Sequence, residues 1–300
     1  MERIKQALEK ARSERQKAGS TYTPPERTSG AGAAEPVTYT HTRTIDVPTD
    51  LLRDKRIITG LEQNAFTDAY RILRTQVLQR LREKNWNALA ITSPGLNEGK
   101  TLTAINLAIS LAMEVNYTVL LVDADLRHPC VHSYFGLDVK HGLSDYLTSD
   151  MTLPELLIHP GIPRVVVLPG GKPLDNSAEM LNSPKMVRLV EELKSRYPSR
   201  IVLFDLPPLL SAADALAFSP YVDAALLVIE EGKTQADDAK RALGLLESTN
   251  VIGTVLNKSW TNMPDDEKVS TKLLGRLLDQ TRLVGLSLKD RFTRLRRKKG

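Results

Sequence analysis

Residues 92–101 read Thr92-Ser93-Pro94-Gly95-Leu96-Asn97-Glu98-Gly99-Lys100-Thr101, a glycine-bearing stretch that is the most informative part of the chain. An apolar run at residues 88–91 precedes it, and an apolar helical pattern follows from Leu102. In a strand, glycine loop and helix in this order, backbone N–H groups and the positive end of a helix dipole converge on one point. The stretch therefore predicts a phosphate-binding loop.

The last two residues of the loop carry side chains suited to a nucleotide. Lys100 would reach the outer phosphates, and the hydroxyl of Thr101 would ligate Mg²⁺. The match is imperfect because Pro94 stands where the usual pattern has glycine, and Gly95 follows one step later. A plain strand-to-helix turn with a chance Gly-Lys-Thr is the alternative. We predict ATP and Mg²⁺ as cofactors, with these residues lining the nucleotide: Ser93, Pro94, Gly95, Asn97, Glu98, Gly99, Lys100, Thr101 and Leu102.

Composition indicates an enzyme of the cytoplasm. The chain has 300 residues, 41% of them hydrophobic, which is enough for a large core. No apolar run approaches the roughly eighteen residues of a membrane span, and no secretory signal opens the chain. Cys130 is the only cysteine, so no intrachain disulfide forms.

The net charge of +5 is concentrated at the end of the chain. Residues 289–300 contain seven Lys or Arg and one Asp, which leaves about −1 for the rest. The excess of basic residues is therefore a property of the tail and not of the predicted domain. We predict no nucleic-acid partner.

Shifts in composition divide the chain into three parts. Residues 2–17 have helical apolar spacing among charges, whereas residues 18–57 lose the apolar pattern and read as a flexible linker. Folded sequence begins near Ile58, and apolar positions over 66–81 predict an amphipathic helix. We predict an N-terminal segment at 1–57, an ATPase domain at 58–260 and a helical, basic tail at 261–300.

Short apolar runs alternate with helical stretches along the predicted domain. Continuous apolarity within each run indicates a strand buried on both faces, and helices between such strands indicate a parallel sheet. The predicted fold is α/β, a P-loop NTPase with a mostly parallel sheet sandwiched by helices. The predicted strands cover residues 88–91, 119–122, 165–168, 201–204, 224–229 and 251–255.

Aspartates follow two of these runs. Asp123 and Asp125 come after the second, and this spacing points both side chains the same way if the strand continues. Mg²⁺ prefers oxygen ligands, so one aspartate can hold it while the other accepts a proton. Asp205 ends the fourth run, where Pro207 and Pro208 stop the ladder. A helix cap or turn is the alternative for each aspartate.

Three segments resemble the Walker A, A′ and B motifs of the bacterial tyrosine kinases. They are residues 93–101, residues 121–129 (Leu-Val-Asp-Ala-Asp-Leu-Arg-His-Pro) and residues 205–208 (Asp-Leu-Pro-Pro). The similarity covers about residues 58–258 and is greatest to the cytoplasmic type of capsule and exopolysaccharide production, including exosortase-linked autokinases. It implies an ATP-dependent protein tyrosine kinase that phosphorylates itself and regulates polysaccharide biosynthesis and export.

The resemblance also assigns roles to the motif residues. Lys100 and Thr101 would bind phosphates and magnesium, and Asp125 and Asp205 would support the magnesium. Asp123 corresponds to the family's proposed base for the tyrosine hydroxyl. Lys100, Asp123 and Asp125 are thus the predicted catalytic residues.

Asn257 is similar to an asparagine that reads adenine in related ATPases. A buried cap is the alternative for this side chain.

The resemblance further implies partners. Asp68, Arg71 and Arg74 are similar to a Glu-x-x-Arg-x-x-Arg element that joins subunits, which predicts a homo-oligomer; a solvated charged face is the alternative. The family's activator is an inner-membrane chain-length regulator of the co-polymerase type. Leucines and a phenylalanine among the tail's basic residues are compatible with peripheral contact at the inner membrane, as is a solvated tail.

One departure from the family concerns the phosphate acceptor. These kinases usually end in a tyrosine cluster, yet no tyrosine follows Tyr221 here. Tyr22 and Tyr39, in predicted flexible sequence, are then the favoured acceptors. The alternative function is a non-phosphorylating ATP switch like the partition ATPases, or a degenerate kinase homologue. Gly95, where partition ATPases carry an extra lysine, favours the kinase.

Overall fold

The computed structural model describes residues 42–59, 64–197 and 199–259. Within them the strands are β1 Arg43–Thr44, β2 Ala88–Thr92, β3 Thr118–Asp123, β4 Ile158–His159, β5 Val165–Leu168, β6 Arg200–Asp205, β7 Ala224–Glu230 and β8 Val251–Asn257. The helices are α1 Thr49–Asp54, α2 Ala65–Lys84, α3 Lys100–Ala112, α4 Val131–Tyr134, α5 Leu143–Thr148, α6 Leu153–Leu156, α7 Ser177–Leu181, α8 Pro184–Ser195, α9 Asp214–Phe218 and α10 Ala236–Leu245, with a 3-10 turn at Ser219–Tyr221.

The strands form one sheet in the order β1-β4-β5-β3-β6-β2-β7-β8. The β4–β5 pair is antiparallel, and the other neighbouring pairs are parallel. This arrangement confirms the predicted α/β P-loop fold with a mostly parallel sheet. Along the described residues, no helix combines the length and the apolar character needed to cross a bilayer.

Helices cover both faces of the sheet, which explains the continuous apolar runs. Leu89 and Ile91 of β2 pack in one core cluster with side chains of α2 and α3. Ala88 and Ala90, on the opposite face of the same strand, pack in a second cluster with α8 and α9. Alternate residues of β2 therefore face different layers, as strand geometry requires.

All six predicted strands are confirmed, each at the predicted place and most of them a residue or more longer. The predicted amphipathic helix corresponds to α2. Asn64 caps its start by accepting a hydrogen bond from the Thr67 N–H at 2.9 Å, and Asn85, with a left-handed φ of 56°, ends it. Strands β1 and β4 were not predicted because two residues cannot show a periodic pattern.

The prediction of a flexible linker is wrong for residues 43–57, which contain β1 and α1. Leu52 and Ile57 are buried in the core, and the N–H of Ile58 donates to Asn106 Oδ1 at 2.9 Å. Tertiary contacts order this segment although its apolar residues are too sparse to predict it. The predicted helix at 2–17, Tyr22, Tyr39 and the tail at 261–300 lie outside the described residues.

Candidate active site

Strand register brings the predicted site together at one edge of the sheet. β6 lies between β2 and β3, where Asp205 pairs in register with both Ile91 and Asp123. The phosphate loop leaves β2 at this same edge and ends where α3 begins, at Lys100. The carboxyl ends of parallel strands are where open α/β sheets bind ligands.

The loop uses two left-handed backbone positions near its end. Asn97 has φ 60° and Gly99 has φ 95°. Asparagine tolerates this conformation, whereas the site of Gly99 also lacks room for a side chain. A Cβ atom there would lie 2.0 Å from Nδ2 of Asn257. Glycine is therefore required before Lys100 by both conformation and space.

The carboxylate of Glu98 is almost fully buried inside the loop, at 3% exposure. Its Oε2 accepts the Gly95 N–H at 2.9 Å, and its Oε1 accepts the hydroxyl of Thr234. The hydroxyl of Ser93 donates to the Gly95 carbonyl at 2.7 Å. Glu98 thus ties the start of the loop to the segment after β7, a contact that sequence reasoning missed because Thr234 belongs to no motif.

Lys100 lies between two carboxylates. Its Nζ is 2.8 Å from Oδ2 of Asp125 and 3.6 Å from Oδ1 of Asp205. The neighbouring hydroxyl of Thr101 donates to Oδ2 of Asp205 at 2.6 Å. Burial alone would lower the pKa of Lys100, but the charges of Asp205 and Asp125 outweigh it and raise that pKa. The structure therefore keeps a charged ammonium group at the start of α3.

Asp123 is fully buried beside this group. Its Oδ2 accepts the N–H groups of Cys130 and Val131, both at 2.9 Å. Burial raises the pKa of Asp123 to about 8, the charge of Asp205 adds to the shift, and the Val131 hydrogen bond opposes it. Burial likewise raises the pKa of Asp205, while Lys100 acts against the rise.

The donor set fits a magnesium ion that shares its coordination with a nucleotide. Within the described ranges, Oδ1 of Asp123 and Oδ1 of Asp205 are buried without a hydrogen-bond partner. No three His, Cys, Asp or Glu side chains of the described chain could hold a metal by themselves. Mg²⁺ at nucleotide sites is held by one or two carboxylates and completes its shell with waters and phosphate oxygens. The hydroxyl of Thr101 and the carboxylates of Asp125 and Asp205 match that requirement, and Oδ1 of Asp123 stays without a described hydrogen-bond partner beside them.

Two further contacts around the site were not predicted. Sγ of Cys130 lies 3.6 Å from Oγ1 of Thr101. Nε of Arg127 donates to both oxygens of the fully buried Asp214, at 3.0 and 3.2 Å, and this carboxylate also accepts the Ser177 hydroxyl. Arg127 belongs to the second motif, whereas Asp214 and Ser177 belong to no motif. The sequence therefore did not predict the contacts of Asp214.

A glycine packs directly over the buried base candidate. A Cβ at Gly170 would lie 2.7 Å from Cβ of Pro129 and 3.3 Å from Cγ of Asp123. Gly170 therefore lies close to the fully buried Asp123, with no room for a side chain between Asp123 and Pro129.

Asn257 lies at the end of β8 and reaches the loop. Its Nδ2 donates to the carbonyl of Glu98 at 2.8 Å. In this structure the amide therefore binds the loop backbone.

The three predicted subunit-contact residues behave differently from one another. Asp68 and Arg71 form an exposed ion pair at 2.8 Å. Arg74 instead turns inward, to the carbonyl of Ser110 at 3.2 Å and to Oε1 of Glu114 at 3.2 Å. Asp68 and Arg71 are thus available at the surface of α2, while Arg74 joins α2 to α3.

Known proteins similar to this chain include a domain family, curated relatives and solved structures. Residues 95–237 match the AAA domain family. The chain is 36% identical over 194 residues to the tyrosine-protein kinase YwqD of Bacillus subtilis, a match covering 64% of this chain and 80% of that protein. It is 31% identical over 192 residues to the tyrosine-protein kinase ptk of Acinetobacter johnsonii, covering 63% of this chain but only 26% of that longer relative.

A solved structure agrees with the sequence matches. The kinase domain of the Escherichia coli tyrosine kinase ETK superposes with a TM-score of 0.61 at 28% identity, covering 75% of this chain and 93% of that domain. These relatives do not favour the alternative of a non-phosphorylating switch. The chain belongs to the bacterial tyrosine kinases, and it is a protein-tyrosine kinase with a nucleotide-binding P-loop domain.

Proposed function

We propose that this kinase uses ATP and Mg²⁺ to phosphorylate tyrosines, including its own, in the regulation of extracellular or capsular polysaccharide biosynthesis and export. The observation that carries the ATP assignment is the position of Lys100. Its ammonium group lies between Asp125 and Asp205 at the start of α3, where a helix dipole also favours anions. The polysaccharide role is supported by the motif resemblance.

The side chains around Lys100 divide the work of nucleotide binding. Lys100 would exchange its contacts with Asp125 and Asp205 for the outer phosphates of ATP. Thr101, Asp125 and Asp205 would hold Mg²⁺, which supplies charge neutralisation of the phosphates when bound. Because phosphoryl transfer has a loose transition state, positioning and charge neutralisation carry most of the catalysis.

Asp123 would accept the proton of the acceptor tyrosine. Its raised pKa suits a general base, and its Oδ1 keeps a free acceptor position in the described chain. Because Asp123 is fully buried, neighbouring groups such as Gly170 would have to shift for a tyrosine to reach this oxygen. The two N–H groups on Oδ2 would hold the carboxylate in orientation meanwhile.

Partners follow from the resemblance and from α2. The exposed ion pair of Asp68 and Arg71 would take part in homo-oligomer contacts, with Arg74 supporting the helix from the inside. An inner-membrane activator of the chain-length regulator type would recruit the kinase, with the basic tail as a peripheral membrane contact. The relative ptk is longer, and the match covers only 26% of its length. That protein therefore contains segments outside the matched domain.

The kinase assignment is tested with Lys100→Met and wild type incubated with Mg-ATP and probed for phosphotyrosine. Loss of the ammonium group should reduce the signal by about 10²–10³-fold, the cost of removing one preorganised charge stabiliser. Lys240→Met is the matched control, because Lys240 forms only an exposed ion pair with Asp237 on α10. Equal phosphotyrosine in wild type and Lys100→Met would contradict the proposal.

The acceptor sites are tested separately by mass spectrometry of the same wild-type reaction. We expect phosphate on Tyr22 or Tyr39, and Tyr22→Phe combined with Tyr39→Phe should lower self-phosphorylation. Phosphate found only at other tyrosines would overturn this choice of acceptors and leave the kinase assignment intact.

A further inference from the structure

Three consecutive carbonyl groups at the crest of the phosphate loop each accept a hydrogen bond from a side chain. The pairs are Lys233 Nζ with Leu96 O at 2.9 Å, Lys258 Nζ with Asn97 O at 2.7 Å, and Asn257 Nδ2 with Glu98 O at 2.8 Å. We call Lys233, Asn257 and Lys258 the carbonyl clamp. They lie more than 130 positions from the loop in sequence.

The clamp is anchored on the last two strands of the sheet. Strands β7 and β8 pair in register up to Glu230 and Asn257. The same carboxylate oxygen, Oε2 of Glu230, lies 3.1 Å from Lys258 Nζ and 3.3 Å from Lys233 Nζ. The two lysines are therefore fixed relative to each other and to the strand that carries Asn257.

Holding these carbonyls also orients the N–H groups of the loop. In a planar trans peptide the C=O and N–H point in opposite directions. With the carbonyls of Leu96, Asn97 and Glu98 directed at β7 and β8, the N–H groups of Asn97, Glu98 and Gly99 point away from those strands. In the part of the chain that the structure describes, these three N–H groups donate to no other group. Convergent, unpaired N–H groups are what an anion-binding nest requires.

We propose that Lys233, Asn257 and Lys258 are positioning residues that hold the phosphate loop in its anion-binding shape. The inference rests on the proposed assignment of this loop to ATP phosphates. It gives Asn257 a role that differs from reading adenine, since its amide binds the Glu98 carbonyl. The near contact with the Gly99 position, where a Cβ would meet Asn257 Nδ2 at 2.0 Å, shows how closely strand and loop are fitted.

The first test uses Asn257→Leu, which keeps the size of the side chain and changes no charge. Calorimetry of the full chain would measure binding of Mg-ADP, Mg-GDP and Mg-pyrophosphate. The clamp predicts about fivefold weaker binding of all three, the effect of one lost hydrogen bond. A loss confined to Mg-ADP, with Mg-pyrophosphate unchanged, would show that Asn257 recognises the base and would overturn the proposal.

The second test decides the matter if Asn257→Leu fails to fold. Lys258→Met should weaken Mg-pyrophosphate binding about fivefold, and Lys258→Arg, which keeps charge and donors, should restore most of it. Lys240→Met, which removes an equal charge away from the loop, should bind as wild type. If Lys258→Met and Lys240→Met lose the same Mg-pyrophosphate affinity, the loss reflects only the removal of a positive charge, and the proposal is overturned. Because pyrophosphate binding needs no phosphotransfer, this outcome is independent of the kinase assay.

Discussion

Asp223 lies at the amino-terminal edge of the sheet, and Asp123 and Asp205 lie at the carboxyl-terminal edge. One oxygen of Asp223 accepts two backbone N–H groups at 3.0 and 2.9 Å, and the other pairs with Lys194 at 2.5 Å. Asp123 and Asp205, by contrast, each keep one buried oxygen that no described group hydrogen-bonds. A satisfied carboxylate stabilises the fold, whereas an unsatisfied one is costly unless a ligand completes it. The same residue type is thus fully satisfied at one edge, whereas at the other it leaves buried oxygens that our proposal assigns to ligand chemistry.

The largest effect should come from Asp123→Asn. Asparagine keeps an oxygen for the Cys130 and Val131 N–H groups and, like the protonated carboxyl group, carries no charge beside Asp205. We expect tyrosine phosphorylation to fall about 10²–10⁴-fold, the usual contribution of a general base, with no decrease in melting temperature at neutral pH. The rate of phosphotyrosine formation and thermal unfolding of the same preparation check this. An active but clearly less stable variant would place Asp123 in the structural class of Asp223.

Asp223→Ala should give the opposite result. The change removes the acceptor of two N–H groups and the partner of Lys194, so the free energy of unfolding should fall by about 2–3 kcal/mol. Mg-ADP affinity of the folded protein should stay unchanged because the opposite edge is untouched. Urea unfolding and calorimetry measure both quantities. Asp237→Ala, at an exposed ion pair, is the control and should cost little stability. A loss of nucleotide affinity in Asp223→Ala would show that the amino-terminal edge of the sheet also affects nucleotide binding, which contradicts the comparison.

The third prediction concerns pH. Burial raises the pKa of Asp123 from 3.8 to about 8 in the folded protein. Between these values the folded protein holds a proton that the unfolded chain has released. The contribution of Asp123 to the unfolding free energy therefore falls as pH rises through this window. Unfolding of the nucleotide-free protein at about pH 5 and about pH 8 should show Asp123→Asn gaining stability relative to wild type as pH rises. If the difference in unfolding free energy between Asp123→Asn and wild type is the same at both pH values, the pKa of Asp123 is not raised in the folded protein.

The smallest effect should come from Thr234→Val. Glu98 is a carboxylate at the ligand edge that is nevertheless satisfied, by the Gly95 N–H and the Thr234 hydroxyl. Removing that hydroxyl should weaken Mg-ADP binding by about fivefold or less, since one hydrogen bond to the loop is lost. Thr234→Ser keeps the donor and should bind as wild type. If serine and valine variants behave alike, the hydroxyl contributes nothing to the loop.

Much of the architecture could be predicted because the strands are buried on both faces and read as continuous apolar runs. Asp123 and Asp205 follow such runs directly, so parallel pairing brings them together without further information. Strand β1 is too short to show any pattern, and its place depends on tertiary contacts. The roles of the site residues remain predictions, while their proximity is a property of the fold.

The residues around the loop illustrate what sequence reasoning could not reach. Lys233, Thr234 and Lys258 lie in turns after strands, where isolated polar residues are common and carry no signal. Their contacts with the loop arise only when β7 and β8 are placed beside β2. Asn257 gave a signal through family resemblance, yet the contact that its amide makes is with the loop backbone.

The pairing of β1 with β4 at the margin of the sheet has a practical consequence for truncation. A chain cut at Ile58, where the apolar pattern begins, would lose β1 and α1 together. The outer side of β4 would then offer free backbone groups to other chains, and the pockets filled by Leu52 and Ile57 would open to water. We expect a fragment starting at 58 to aggregate on expression, whereas one starting at 42 keeps β1 paired with β4 and keeps Leu52 and Ile57 in the core.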